Sequence, residues 1–157
     1  MKEHLKDYGI HHVCFVTRDM EKSKKRIEQL FGVNQWLSYI YHPNQAWVNG
    51  EEVDDFQLRL SMGEVKDETC KIEVIEPITQ KGPHAEFLKD HDCGLHHICF
   101  QVDDYDRWLE HFWTVGAEIV YESVTEDQNI GYRRCFYAKD DVLACYYEIL
   151  EKPYFRK

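Results

Sequence analysis

The sequence predicts an α+β fold assembled from two βαβββ modules, residues about 8–78 and about 93–152, within a single domain over 1–157. Three observations carry that expectation. The hexapeptide "IHHVCF" at 10–15 is almost respelled as "LHHICF" at 95–100. Each copy runs into aspartate and then into a stretch with helical spacing that ends near glycine. Each such stretch is followed by three more strand-like segments.

The elements follow in order. Residues 10–15 begin the module with a short apolar run of β-branched and aromatic residues, which reads as a strand. Asp19 stands where an N-cap belongs. Met20, Ile27, Leu30 and Phe31 then share one helical face opposite a lysine-rich one, and Gly32 ends the helix. "WLSYIYH" (36–42), "DFQLRLSMG" (55–63) and "CKIEVIEP" (70–77) complete the first module. The connector "ITQKGPHAEFLKDHDCG" carries Gly-Pro punctuation and a short helical turn at 83–89. In the second module, Asp103 and Asp104 precede Tyr105, Trp108, Leu109, Phe112 and Trp113, spaced i, i+3, i+4, i+7, i+8 as a core-facing stripe. Gly116 closes that helix, and "EIVYESV" (118–124), "YRRCFYAK" (132–139) and "LACYYEILE" (143–151) supply its strands.

Composition narrows the function classes. With 19 Lys+Arg against 29 Asp+Glu the net charge is −10, and no basic stripe offers a footprint for nucleic acid or an anionic membrane. No apolar run approaches the roughly 20 residues of a membrane span, and "MKEHLKDYGI" has no signal-peptide core, so the expectation is a cytoplasmic protein. The six cysteines, 14, 70, 93, 99, 135 and 145, have no CxxC spacing and read as buried, reduced thiols. Cys14 and Cys99 hold matching places in the repeat and are expected to line one interior surface.

Strand side chains alternate faces. His12 therefore goes with Ile10 and Cys14, and His11 with Val13 and Phe15; His97 and His96 divide the same way. On strict alternation only one histidine of each pair reaches a shared interior. Glu73, between Ile72 and Val74, and Glu148, between Tyr147 and Ile149, are mid-strand acids on the last strand of each module. An ionised carboxylate in an apolar strand is costly unless paired, hydrogen-bonded or metal-bound.

With those residues in place, the chain resembles the vicinal oxygen chelate superfamily, the glyoxalase and bleomycin-resistance fold, over nearly its whole length. Its stretch "IEVIEPITQKGPHAEFLKDHDCGLHHICFQVDD" (72–104) is most similar to the methylmalonyl-CoA epimerase family, with a strand, "EP", a short "AxFL" helix and a "GLHHI" strand in order. The resemblance implies a cupped, incompletely closed mixed sheet around one divalent metal. It also implies His12, Glu73, His97 and Glu148 as ligands, with His11 and His96 structural. Such an N/O set suits Co²⁺, Ni²⁺, Mn²⁺, Fe²⁺ or Zn²⁺ alike.

What the resemblance implies for chemistry is proton transfer next to a carbonyl, with Glu148 as the first catalytic base, Glu73 as its symmetric partner and an acyl-CoA or similar carbonyl compound as substrate. The epimerase pattern has a further glutamate before the third strand of module one. Here "NGEEVDDFQLRL" (49–60) offers Glu51, Glu52, Asp54 and Asp55, and Glu52 is the candidate, although Val53 falls at the gapless match. Relatives of this kind commonly pair into homodimers. The alternatives are a lactoylglutathione lyase like glyoxalase I and a non-catalytic binder of the bleomycin-resistance kind. An extradiol dioxygenase, with two histidines and one glutamate, is disfavoured by the fourth ligand at Glu73. Of the basic pair Arg133–Arg134, one is expected to meet a substrate anion and the other solvent.

Overall fold

The computed structural model describes residues 2–157. In the first module β1 (His12–Thr17) leads to α1 (Met20–Phe31), then to β2 (Trp36–Tyr41), two short strands β3 (Gln45–Val48) and β4 (Glu51–Glu52), β5 (Leu58–Gly63) and β6 (Lys71–Pro77). A one-turn helix α2 (Pro83–Phe87) joins it to the second module of β7 (Cys93–Val102), α3 (Tyr105–Thr114), β8 (Glu118–Asp127), β9 (Gly131–Asp140) and β10 (Cys145–Glu151). All ten strands form one mixed sheet in the order β2-β5-β6-β1-β7-β10-β9-β8-β3-β4. The modules meet along β1 and β7, which pair antiparallel, while β1–β6 and β7–β10 are parallel.

The helices are made as the sequence anticipates, with differences of detail. The Asp19 side chain accepts from the Lys22 backbone N–H at 3.1 Å, and Gly32 at φ 74° takes the left-handed cap that costs glycine nothing. Asp104 occupies the equivalent N-cap, but its side chain makes no cap bond. Along α3, Tyr105 and Trp108 are buried and Leu109 and Phe112 pack beside them against Phe136 and Ile149. Trp113 lies at the edge of that stripe and is exposed.

The segment between the strand-like stretches 36–42 and 55–63, to which the sequence assigns no element, forms β3 and β4. β3 leaves the edge of module one and pairs antiparallel with β8 of module two, Ala46 opposite Ser123 and Val48 opposite Tyr121. Asn44 completes the crossing: its N–H donates to the Val124 carbonyl at 2.9 Å, and its side-chain oxygen accepts from the Glu126 N–H at 2.7 Å. Near the same crossing the Tyr41 hydroxyl, at the end of β2, lies 3.1 Å from the Tyr121 hydroxyl and 2.5 Å from Ser123 Oγ. The two free sides of the cup are thus strapped together by chain, and Ala46 and Phe56 enter the main core with Tyr121. Local sequence could not foresee this, because the partner of β3 lies some 75 residues downstream.

Candidate active site

Four adjacent strands, β6-β1-β7-β10, carry the site on their concave face. Strand register explains the convergence. Cys14 stands opposite Glu73 on one side and His97 on the other, and Cys99 stands opposite His12 and Glu148. Two small buried thiols thus form the floor, with a histidine and a carboxylate flanking each. Both cysteines are fully buried in the same core cluster, as their matching positions led one to expect, and Cys135 is buried too; Cys70 and Cys145 are half-buried and Cys93 is exposed, so burial does not extend to all six.

The ligand atoms of His12, Glu73, His97 and Glu148 all lie within 4.8 Å of one another. His12 Nε2 is 3.3 Å from His97 Nε2, and these nitrogens lie 3.0 and 3.1 Å from Glu148 Oε2. They lie 3.3 and 3.4 Å from Glu73 Oε1. That last oxygen is close enough for charge attraction yet has no hydrogen bond of acceptable geometry, and it is buried. Two imidazole nitrogens aimed at one point with an orphaned carboxylate oxygen beside them are the donor set of a cation site, and these residues fit a divalent metal.

Electrostatics agrees with a tightly coupled group. Burial pushes the Glu148 carboxyl up, but His12 and His97 outweigh it and hold the acid well below its ordinary range; Glu73 is likewise held down. Burial pushes both imidazoles down, and the opposing pull of the carboxylates, joined at His12 by Cys99, turns the net shift upward. Glu148 Oε1 accepts from the Cys135 thiol at 3.3 Å. Burial pushes the thiols of Cys14, Cys99 and Cys135 up, Cys99 to about 12, so these cysteines are poor nucleophiles.

Above the four lies a cavity of about 110 Å³ whose two walls differ. Met62 pairs with Glu73 and Leu60 with Ile75, so β5 presents Leu58, Leu60 and Met62. Tyr137 pairs with Glu148 and Cys135 with Leu150, so β9 presents Arg133, Cys135 and Tyr137. Arg133 lies beside the Tyr39 hydroxyl. Its neighbour Arg134 turns to the far side, where it donates to Glu151 and Asp106 at 2.8 Å each and covers the Tyr105 ring. Both arginines border the cavity, but the Arg134 guanidinium is held away from it in ion pairs rather than open to solvent.

The flanking histidines are the main departure from the alternation argument. The β1–β7 register slips, Cys14 pairing with His97 but Phe15 with Leu95, so His96 is a bulge residue. A bulge breaks the two-residue period, and His96 and His97 are consequently both buried. His96 stacks between His84 and Tyr146, at centroid distances of 4.9 and 4.5 Å. His11, at the mouth of β1, lines the cavity rim and places its Nδ1 2.8 Å from His12 Nδ1. Sequence reasoning passed over His84, which α2 inserts fully buried with both ring nitrogens unpartnered; burial, reinforced by His97, lowers its pKa to about 3. Its only sequence signal was a histidine inside the turn at 83–89. Glu52 is exposed on β4 opposite Trp47 and is not among the residues lining the cavity.

A curled mixed sheet of paired modules with its polar side chains on the concave face defines a class, and comparison with known proteins gives that class its name. The chain belongs to the glyoxalase/bleomycin resistance protein/dioxygenase superfamily, whose family model matches residues 11–136. Within it, the mitochondrial methylmalonyl-CoA epimerase of Dictyostelium discoideum is 28% identical over 112 residues, 71% of this chain and 59% of that protein's length. The fold is shared with methylmalonyl-CoA epimerase of Mycobacterium tuberculosis (TM-score 0.62, 20% identity, 93% of this chain and 88% of that one). It is shared equally with a variant of the Streptomyces coelicolor epimerase in complex with 2-nitronate-propionyl-CoA (TM-score 0.62, 16% identity, 92% and 96%). No helix among the described residues is long and apolar enough to cross a membrane.

Proposed function

We propose that this chain is a divalent-metal-dependent epimerase that moves a proton on the carbon next to the carbonyl of an acyl-CoA thioester bearing a carboxylate. The observation that carries this reading is the convergence of His12, Glu73, His97 and Glu148 from four adjacent strands, with a buried oxygen left unpartnered. A divalent ion held by those four would supply Lewis acidity to a carbonyl oxygen. Epimerisation needs a group to remove the proton and a group to return it from the opposite side. Glu148 on β10 and Glu73 on β6 stand on opposite sides of the histidine pair, and we assign Glu148 as the first base and Glu73 as its partner.

The unequal walls suit such a substrate. Leu58, Leu60 and Met62 accept a small alkyl branch, while Arg133 and Tyr39 meet its carboxylate. His11 and Gln101 line both this cavity and an outer groove of about 600 Å³ bordered by Lys2, Lys71 and Lys152. We place the phosphate-bearing arm of the thioester there. The 28% identity to an epimerase supports the same substrate class.

The test is solvent-deuterium incorporation into methylmalonyl-CoA by the metal-loaded protein, run beside turnover of the glutathione–methylglyoxal adduct. Exchange at the α-carbon is the expected result. Turnover of the adduct alone would replace the reading by a lactoylglutathione lyase. A protein that binds neither metal nor thioester after metal-replete purification would leave a small-molecule binder.

A further inference from the structure

We propose that His96, anchored by the Pro83 carbonyl, is a positioning residue that fixes His97 in the tautomer able to bind metal. The inference rests on the metal reading above and goes beyond it to a residue that touches neither metal nor substrate.

A carbonyl oxygen has no proton to give, so at the 3.1 Å contact between His96 Nε2 and the Pro83 carbonyl the imidazole nitrogen must donate. The His96 ring is buried between two flat rings, where a second ring proton would make an uncompensated cation. With its proton on Nε2, the ring keeps a lone pair on Nδ1. The contact of 2.8 Å between His96 Nδ1 and His97 Nδ1 then has one possible sense: His97 donates from Nδ1. In the neutral ring that metal binding requires, His97 then carries its one proton on Nδ1 and keeps the lone pair on Nε2, the nitrogen pointing at Glu73, Glu148 and His12.

A ligating histidine usually donates its second nitrogen to a carboxylate, carbonyl or water. Here a second imidazole stands between ligand and carbonyl, and two features of the fold put it there. The bulge at Cys14/Phe15 turns His96 inward, and Pro83 opens α2 with its carbonyl facing that ring. The first module has the same nitrogen pair, His11 Nδ1 to His12 Nδ1 at 2.8 Å. There is no corresponding anchor, because His11 Nε2 has no hydrogen-bond partner among the described residues and its ring borders the open cavity. The device is therefore built on one side only.

The experiment uses the zinc-loaded protein with ¹⁵N-labelled histidine. Wild type is expected to show a proton on His96 Nε2 and a coupling across the hydrogen bond between His97 Nδ1 and His96 Nδ1. His96→Leu should weaken zinc in a chelator competition by about 10–100-fold. His96→Gln, whose amide can accept from His97 and donate to Pro83, should recover most of that loss. A proton on His96 Nδ1 in wild type, or undiminished zinc affinity in a folded His96→Leu, overturns the inference while leaving the metal site standing. A wild-type protein that takes up no zinc overturns the site reading, and this inference with it.

Discussion

The two modules build the same strand pair twice and use it differently. β5 sets Met62 opposite Glu73, and β9 sets Tyr137 opposite Glu148, so the two walls of the cavity are related by the repeat. Yet one wall reads Leu58, Leu60, Met62 and the other Arg133, Cys135, Tyr137. The histidine pairs diverge as well: His96 is buried and anchored, whereas His11 stands at the rim. The lesson is that the symmetric part and the asymmetric part have separate duties. Binding one ion needs equal donors from both halves, which the repeat delivers. Orienting a substrate with distinct ends needs walls that differ, which the residues of β5 and β9 around that centre supply.

The largest effect tests the symmetric part. Glu148→Ala and His97→Ala should each lose stoichiometric divalent metal and lower kcat by about 10³-fold or more, since base and electrophile are removed together. His12→Ala should do the same by metal analysis. Retention of full metal in any one of the three would break the equivalence of the halves. The polar wall comes next. Arg133→Gln should raise KM for a carboxylate-bearing thioester by about 10–100-fold, the loss of one charge-assisted hydrogen bond, with α-proton exchange of an uncarboxylated acyl-CoA unchanged. A similar loss for both substrates would mean that the wall does not read the carboxylate.

Acid sensitivity sharpens the contrast between the packed and open histidines. His84 is buried neutral with a folded pKa of about 3, below the ordinary value of 6.5. Below pH 6.5 the unfolded chain takes up a proton that the folded chain refuses, so this group makes stability fall as pH drops from 6.5 toward 3. At about 1.4 kcal/mol per pH unit, it costs the metal-free protein about 2 kcal/mol at pH 5 relative to pH 7. Urea melts at the two pH values should show that difference narrowed by about this amount in His84→Leu. An unchanged difference would show that the ring takes up its proton without unfolding. The smallest effect belongs to Glu52, exposed and away from the cavity lining. Glu52→Gln should leave kcat and KM within about twofold, as surface changes usually do; a hundredfold loss of kcat would instead require β4 to swing over the cavity during turnover.

Much of this could be read from the chain. The helix boundaries at Asp19 and Gly32, the core stripe through Tyr105 and Trp108, and the principal strands of both modules follow from caps and periodicities that act within a few residues. Alternation and the repeat group His12 with Cys14 and His97 with Cys99, and the family resemblance chose that face, with Glu73 and Glu148, as the inward one; all six are buried. The misplacements share one cause. His96 enters the interior because one residue is inserted in the β1–β7 ladder, and residues 42–55 become strands because β8 has a free edge to pair with.

The sequence by itself determined which side chains the two strands could offer to a common centre, since side-chain direction in a strand is a property of consecutive backbone units. Only the tertiary structure decided which nitrogen His96 must protonate, which arginine is held away from the cavity in ion pairs and where His84 rests. Those depend on register, on a carbonyl from α2 and on a strap drawn from the other module. Each is a contact between residues far apart in the chain, fixed by how the sheet closes rather than by any local preference.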